Sequence, residues 1–511
     1  MNRGLNLDFR ESIEYIKYNT MSPSLLKSLR TALQTHHRFI TGALSHAEPP
    51  IYVIGNPSAD LDSIISAVVY AYFGNLTARR HIPLINLPNV PSGPELYRLR
   101  PEFVKALHLS SHPALEGEQS WDETSESAGA LLRDHFLTVA DFAAQLKSSP
   151  VDTNGRLQAD AVLVDWNALP IASPSGPQQQ HPRGSIPGLE TTVDFTVLGC
   201  VDHHIDEGFM PHGPESKPLE IHTAGSCASL VTHTLQSLNL WRDSPPSTST
   251  NTQTLQQQQQ QEQLAQLALS AILIDTTNLT SKDKVTPWDT HAVEFLTRQL
   301  QPQTPPPTNL YNQVHQTKQN SLDLLTVDEI LDRDYKQWTE TPSSSAKPVE
   351  IGFCSMVKSL PWIIRKAGNA KTFQDAVEGF ARARNLGIVV VMTAFTSPVK
   401  GGEFTRELFV VALDDKDRHD SNDNDNDNGG VATTALKHFV DQAVDKLSLQ
   451  PWTALDVIDR PEQEEEIARS LVGNDSHADG EGRYRRVWVQ ADLSKSRKQV
   501  APLVREAVTS L

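Results

Sequence analysis

Short runs that are apolar throughout recur along the chain: Ile51–Ile54 (IYVI), Ala161–Asp165 (AVLVD), Thr196–Asp202 (TVLGCVD) and Ala271–Asp275 (AILID). A run that does not alternate predicts a strand covered on both faces, and such strands belong to a parallel sheet with helices on either side. After the first run, Ile64, Ile65, Val68, Val69 and Tyr72 fall at helical spacing, and Gly74 stands where a C-terminal cap belongs. Strand, loop and helix together predict the opening unit of a doubly wound α/β fold. Farther along, QPQTPPPTN (Gln301–Asn309) breaks any helix and predicts the start of a linker that acts as a hinge up to about residue 320. Beyond it, Ile351–Met356, Gly387–Thr393 and Leu408–Leu413 predict strands of a second sheet. The terminal SKSRKQVAPLVREAVTSL predicts a basic loop leading into a short helix. No internal repeat is visible.

Length changes this picture little: 511 residues exceed one compact core, so two domains are expected, residues 1–315 and 316–511. The hydrophobic fraction of 38% is low for an α/β protein, and three polar stretches account for the dilution. Ser173–Gly188, Ser244–Gln263 with its glutamine run, and Asp420–Gly430 bury too little apolar surface to offset ordering entropy, and are expected to be disordered insertions. The Asp/Asn run lacks the glycine and closing glutamate of a calcium loop. A net charge of −17 argues against nucleic acid and anionic membrane as partners, while a local cationic cluster or bound cation can still favour an anionic ligand. Cys200, Cys227 and Cys354 are scattered, which fits a reducing compartment and no disulfide framework. MNRGLNLDFRESIEYIKYNT has no signal-peptide apolar core, and no apolar run reaches membrane-spanning length. A cytoplasmic monomer is the expectation.

The chemistry-bearing residues gather at the predicted strand ends. Asp60 and Asp62 follow the first strand, and Asp165, Asp202 and Asp275 close the others. In an open parallel sheet, ligands bind outside the carboxyl ends of the strands. Any one aspartate there has an ordinary reading as a helix N-cap or turn former. Several brought to one edge repel each other unless cations neutralise them. His203 and His204, directly after Asp202, add imidazole to a carboxylate set, which suits Mg²⁺ or Mn²⁺. No thiolate set for structural zinc is present. One dinuclear cation site accounts for all of these residues together.

GNPSADLDS, VDWN, VDHH, GSCAS and LIDTTNL occur here in the order found in the DHH phosphoesterases, and SRKQVAP resembles the signature of their subfamily with a DHHA2 second domain. That subfamily holds family II inorganic pyrophosphatases, fungal exopolyphosphatases and prune-type phosphodiesterases. The resemblance implies a DHH catalytic domain with a doubly wound, mainly parallel sheet, then a smaller α/β DHHA2 substrate-binding domain, with the active site in the cleft between them. It implies that Asp60 and Asp165 hold one metal, and that Asp62, Asp165, His203 and Asp275 hold the other. His204 then faces the substrate phosphate as a catalytic residue, supported by Asp202. Where pyrophosphatases carry histidine, this chain has Asn56, whose neutral oxygen in place of imidazole shifts preference from Mn²⁺ toward Mg²⁺. Prune-type proteins alter the second histidine of the motif, and His204 is intact.

By the same resemblance, Lys336, Arg497 and Lys498 contact substrate phosphates, and Asn56 is expected among the substrate-binding residues. Lys358, Arg365, Lys366, Arg382 and Arg384 read as a solvated face, and Ser226 as an N-cap. The implied function is exopolyphosphatase activity: two-metal hydrolysis of the terminal phosphoanhydride of inorganic polyphosphate, Mg²⁺ preferred, with Mn²⁺ or Co²⁺ as substitutes. The alternatives are an inorganic pyrophosphatase or nucleoside tetraphosphate hydrolase and, in another class, a prune-type regulatory scaffold with weak phosphodiesterase activity.

Overall fold

A computed structural model describes residues 24–44, 48–112, 120–148, 156–172, 181–213, 217–242, 252–323, 325–343, 347–414, 430–457, 463–472 and 484–511. The N-terminal MNRGLNLDFRESIEYIKYNT, and residues 173–180, 244–251 and 420–429 of the polar stretches, lie outside them. The chain divides into two units, one ending at Ser321 and the other running from Leu322 to Leu511.

The first unit is built on β1 (Ile51–Ile54), β2 (His81–Ile85), β3 (Leu137–Thr138), β4 (Leu157–Val164), β5 (Ile171–Ala172), β6 (Arg183–Ser185), β7 (Val193–Asp202) and β8 (Leu219–Ile221). Their order is β3-β2-β1-β4-β7-β6-β5, with β8 also on β7; all pairs are parallel except β5–β6 and β6–β7. Successive side chains of a strand point to opposite faces. Ile51 and Val53 accordingly join one apolar core, and Tyr52 and Ile54 the other. Burial of both faces explains why these strands read as unbroken apolar runs. The Leu61–Gly74 helix is buried along its whole length. Gly74 is its last residue rather than the cap, which is Asn75; a Cβ on Gly74 would lie 2.6 Å from the His81 ring.

Four expectations need correction here. Ala271–Asp275 is the C-terminal end of a helix, Thr252–Asp275, not a strand. Residues Leu264–Leu273 of that helix supply buried apolar side chains all round, and a fully buried helix and a buried strand give the same short apolar run. The same helix takes up residues 252–263 of the glutamine-rich stretch, with Gln258, Gln260 and Gln263 buried, so that part is not a disordered insertion. In the Ser173–Gly188 stretch, β6 pairs antiparallel with β7 at Arg183–Thr196 and Gly184–Phe195. Within the proposed hinge, Pro307 opens a helix, Pro307–Asn320, whose Leu310 and Val314 join the first core. Proline is favoured at a first helical position, so PPPT started a helix instead of a linker.

The second unit carries β9 (Tyr335–Glu340), β10 (Val349–Met356), β11 (Ile388–Thr393), β12 (Phe395–Ser397), β13 (Glu403–Thr405), β14 (Glu407–Ala412), β15 (Leu449–Pro451) and β16 (Arg485–Gln490). Six form a mixed sheet in the order β15-β16-β14-β11-β10-β9, while β12 and β13 pair alone. Ile351, Phe353, Val390 and Val410 pack with Leu436, Phe439, Val500 and Val504 of the helices Val431–Lys446 and Arg497–Thr509. Phe409 meets Phe373 of the Ala370–Ala383 helix. No helix among the described residues is long and apolar enough to cross a membrane.

Glu407 gives this unit a pH dependence. It is buried, and accepts hydrogen bonds from Leu360 N (2.6 Å), Trp452 Nε1 (2.9 Å) and the Thr393 hydroxyl (3.2 Å). Burial pushes its carboxyl up to about 7 despite those donors. A carboxyl raised on folding contributes stability that is whole below the ordinary carboxylate range and is lost as pH rises through about 7. Calorimetry should show this unit losing about 3 kcal/mol between about pH 5 and pH 8, and Glu407→Gln should flatten that slope. An unchanged slope in the variant would refute the assignment.

Candidate metal centre

Strands β1, β4 and β7 are parallel neighbours, so their carboxyl ends share one edge of the sheet, and three of the sequence motifs leave them there. After β1 the chain turns sharply into the Leu61–Gly74 helix. Asp60 is that helix's N-cap, accepting from Ser63 N at 3.0 Å, so its ordinary structural reading holds for one oxygen. A Cβ on Gly55 would lie 2.1 Å from Ser63 Oγ, which explains glycine there. Ala59 adopts φ 44°, and the buried Arg100 guanidinium holds the turn by donating to Ala59 O (2.9 Å) and to Ser58 O. Nothing in YRLRPEF signals this role.

Asn56 organises the same loop. Its Oδ1 accepts from Ser58 N (2.9 Å), Ser58 Oγ (2.6 Å) and Ala59 N (3.2 Å), and its Nδ2 donates to Asp165 Oδ2 (2.6 Å). Two backbone donors fix which end is oxygen. The expectation that Asn56 offers a hard oxygen to a metal or contacts substrate is therefore corrected: that oxygen is spent on the loop, and the amide nitrogen positions Asp165.

Asp165 follows β4 with φ 56°, a left-handed conformation uncommon outside glycine. Its N–H is shared between Val201 O (3.0 Å) and Cys227 Sγ (3.1 Å). Its Oδ1 lies 3.1 Å from His203 Nε2 and 3.6 Å from His204 Nδ1. His203 Nδ1 is 3.0 Å from Ala224 O, which only accepts, so the proton sits on Nδ1. In the neutral ring Nε2 then carries a lone pair aimed at a carboxylate oxygen. Two acceptors at that distance require a proton or a cation between them. Among the described residues, Asp165, His203 and His204 form the one group of three potential ligands whose atoms all lie within 4.8 Å of one another.

Asp202, at the end of β7, accepts from His203 N (2.8 Å) and His204 Nδ1 (2.8 Å) on Oδ1 and from Asn167 Nδ2 (2.5 Å) on Oδ2. Burial alone would raise its carboxyl, but the His204 and His203 charges and these hydrogen bonds outweigh it and hold the group well below the usual range.

Asp62 lies in the first turn of its own helix and reaches the N-terminus of another, Cys227–Ser237. Its Oδ1 accepts from Ser226 Oγ (2.9 Å), Ala228 N (2.9 Å) and Ser66 Oγ (3.3 Å), and its Oδ2 from Cys227 N (2.6 Å). The remaining acceptor capacity is on Oδ2. Ser226 is the N-cap residue, as read, but its hydroxyl serves Asp62 and makes no cap bond. Burial, then the charges of Asp275, Asp165 and Asp60, push the Asp62 carboxyl well above the usual range. Asp275 ends the Thr252–Asp275 helix and is followed by Thr277, Asn278 and Leu279 at φ 52°, 54° and 60°. Burial raises its carboxyl; Lys318 and Lys284 work against that, and Asp60 with it. Left-handed backbone at Ala59, Asp165 and Thr277–Leu279 lies beside the crowded acids. Carboxylates crowded this way, facing a lone-pair imidazole, fit a hard or borderline divalent cation.

In the second unit, Arg497 and Lys498 open the Arg497–Thr509 helix, so the basic pair lies in a helical first turn rather than a loop. Arg497 bonds Asp334 O (2.9 Å) and Ser355 Oγ (3.2 Å) and pairs with Asp334 Oδ1 (2.9 Å), two residues before Lys336 on β9. Arg382 and Arg384 pair with Glu378 and Asp332, Arg365 with Asp456, and Lys366 Nζ donates to Asp323 O.

A sequence profile described as "DHHA2 domain" matches residues 313–507. A curated Schizosaccharomyces pombe protein described as "Putative exopolyphosphatase" is 28% identical over 362 residues, covering 70% of this chain and 75% of its own. A crystal structure described as a Methanococcus jannaschii "putative family II inorganic pyrophosphatase" aligns at 15% identity and TM-score 0.45, over 89% of this chain and 99% of its own. An exopolyphosphatase-related protein from Bacteroides fragilis aligns at 12% and 0.31, over 74% and 84%. A mainly parallel doubly wound unit carrying VDHH is thus followed by a region that matches the DHHA2 domain, and the chain is similar to the DHH phosphoesterases of the DHHA2 subfamily.

Proposed function

We propose that the protein is an exopolyphosphatase: one water is consumed per terminal phosphoanhydride cleaved, and orthophosphate leaves a chain one unit shorter. The observation that carries this reading is the meeting of Asp165 with His203 and His204, three buried or half-buried ligands from two motifs, in a chain similar to the S. pombe protein. Asp165 and His203, with Asp60, Asp62 and Asp275, would hold two divalent cations, Mg²⁺ first and Mn²⁺ or Co²⁺ as substitutes. When bound, such ions supply Lewis acidity toward water and neutralise phosphate charge.

The chain's own groups do the rest. Asp202 accepts the His204 Nδ1–H hydrogen bond, fixes the ring, and by its negative charge favours the imidazolium, so that Nε2 can donate to the leaving phosphate. Lys336, Arg497 and Lys498 supply cationic contacts to the rest of the polyanion, with Arg497 oriented by Asp334.

Phosphate release from pyrophosphate, tripolyphosphate, long polyphosphate and a nucleoside tetraphosphate, with each divalent ion, tests the proposal. Long polyphosphate with Mg²⁺ is expected to give the highest kcat/KM. A preference for pyrophosphate would make the protein a pyrophosphatase instead. No turnover with any ion would leave the scaffold reading.

A further inference from the structure

We infer that Asp289 is a positioning residue of this centre, acting through the loop Ala224–Ala228. That loop touches three predicted ligands at once. Ala224 O holds the Nδ1 of His203, Cys227 Sγ accepts from Asp165 N, and Ser226 Oγ with Cys227 N and Ala228 N binds Asp62. A second carboxylate, the fully buried Asp289, also holds the loop. Asp289 accepts from Gly225 N (2.9 Å) on Oδ2 and from Ser226 N (3.2 Å) and Ser229 Oγ (2.7 Å) on Oδ1. Its Oδ2 also takes Thr286 N (2.8 Å) and Thr286 Oγ1 (2.9 Å), the capping box of the Pro287–Arg298 helix. The loop is pressed closely on it: a Cβ on Gly225 would lie 2.9 Å from Asp289 Oδ2 and 2.7 Å from Thr276 Cγ2.

Asp289 thus ties the cap of one helix to the loop that aligns ligands drawn from three motifs. Outer groups that orient metal ligands typically contribute 10- to 100-fold to affinity, so a loss of about that size is expected when the loop is released. The inference rests on the metal-centre reading above.

The test measures Mn²⁺ binding to the full chain by titration calorimetry and by the spectrum of the bound ion. Three proteins are compared: the parent, Asp289→Asn and Thr286→Ala. In Asp289→Asn the NH₂ group faces Gly225 N or Ser226 N whichever way the amide turns, so the loop loses one of its two acceptor oxygens. Thr286→Ala weakens the same helix cap and leaves the loop bonds in place. Positioning predicts that Asp289→Asn loses about 10- to 100-fold in Mn²⁺ affinity and alters the spectrum, while Thr286→Ala keeps parental affinity. If Asp289→Asn does not fold, Gly225→Ala disturbs the same contact from the loop side and should show the same loss. Parental affinity in Asp289→Asn, or in Gly225→Ala where that variant is used, overturns the inference alone. A parent that binds no Mn²⁺ overturns the metal-centre reading, and the inference with it.

Discussion

Asp165→Asn is expected to cut phosphate release on the order of 10³-fold or more, about 4 kcal/mol of transition-state stabilisation, while leaving the fold intact. Asparagine fills the same space. Its oxygen must face Asn56 Nδ2, which donates to Asp165 Oδ2 at 2.6 Å, so its NH₂ turns to the side where Oδ1 lies 3.1 Å from His203 Nε2. That nitrogen then accepts a hydrogen bond, and its lone pair is no longer offered to a cation. One substitution removes a carboxylate charge and occupies the neighbouring imidazole. Steady-state phosphate release, with circular dichroism and thermal unfolding as fold controls, reads the outcome. A folded variant with near-parental turnover would remove Asp165 from the mechanism.

Asp202→Asn is the second large effect. The carboxylate accepts on both oxygens, from His203 N and His204 Nδ1 on one and Asn167 Nδ2 on the other. An amide cannot do both. If its NH₂ faces Asn167, two donors collide; if it faces His204, Nδ1 must accept and the proton moves to Nε2 of a neutral ring. The charge that favours the imidazolium is gone in either case. A kcat loss of about 10²- to 10⁴-fold is expected, the range for a displaced acid–base group, with a smaller change in KM. The pH profile should change as well. Asp202 is held ionised well below the ordinary range, so its contribution to stability is present above that range and is lost as pH falls through the lowered value. The Asn variant should lack that acid-side loss, and a kcat within a few-fold of the parent would refute the role given to Asp202.

Much of the site could be read from local pattern. IYVIGNPSADLDS, AVLVD and TVLGCVDHH each announce a buried strand followed by ligand-type side chains, and the three strands do leave one edge of the sheet. LIDTTNL misled about its element: Asp275 arrives from a helix, and its charge bears on Asp62. Asn56 was legible as a departure from a histidine, but its loop bonds were not. Arg100 and Asp289 left no signal of these roles, because the loop groups they hold near the site stand 41 to 42 and 63 to 64 positions away along the chain.

Periodicity and strand-end chemistry follow from which faces a segment buries and which end of a parallel strand meets solvent, and both are written in consecutive residues. That is why the α/β class, the edge carrying the acids and the VDHH pair were accessible from the amino-acid order. Whether an apolar run winds or extends, and which lone pairs of a carboxylate remain for a cation, depends on donors delivered from remote segments. Asp62 shows this: residues 164 to 166 positions away commit three of its hydrogen bonds, and no pattern near LDS contains them.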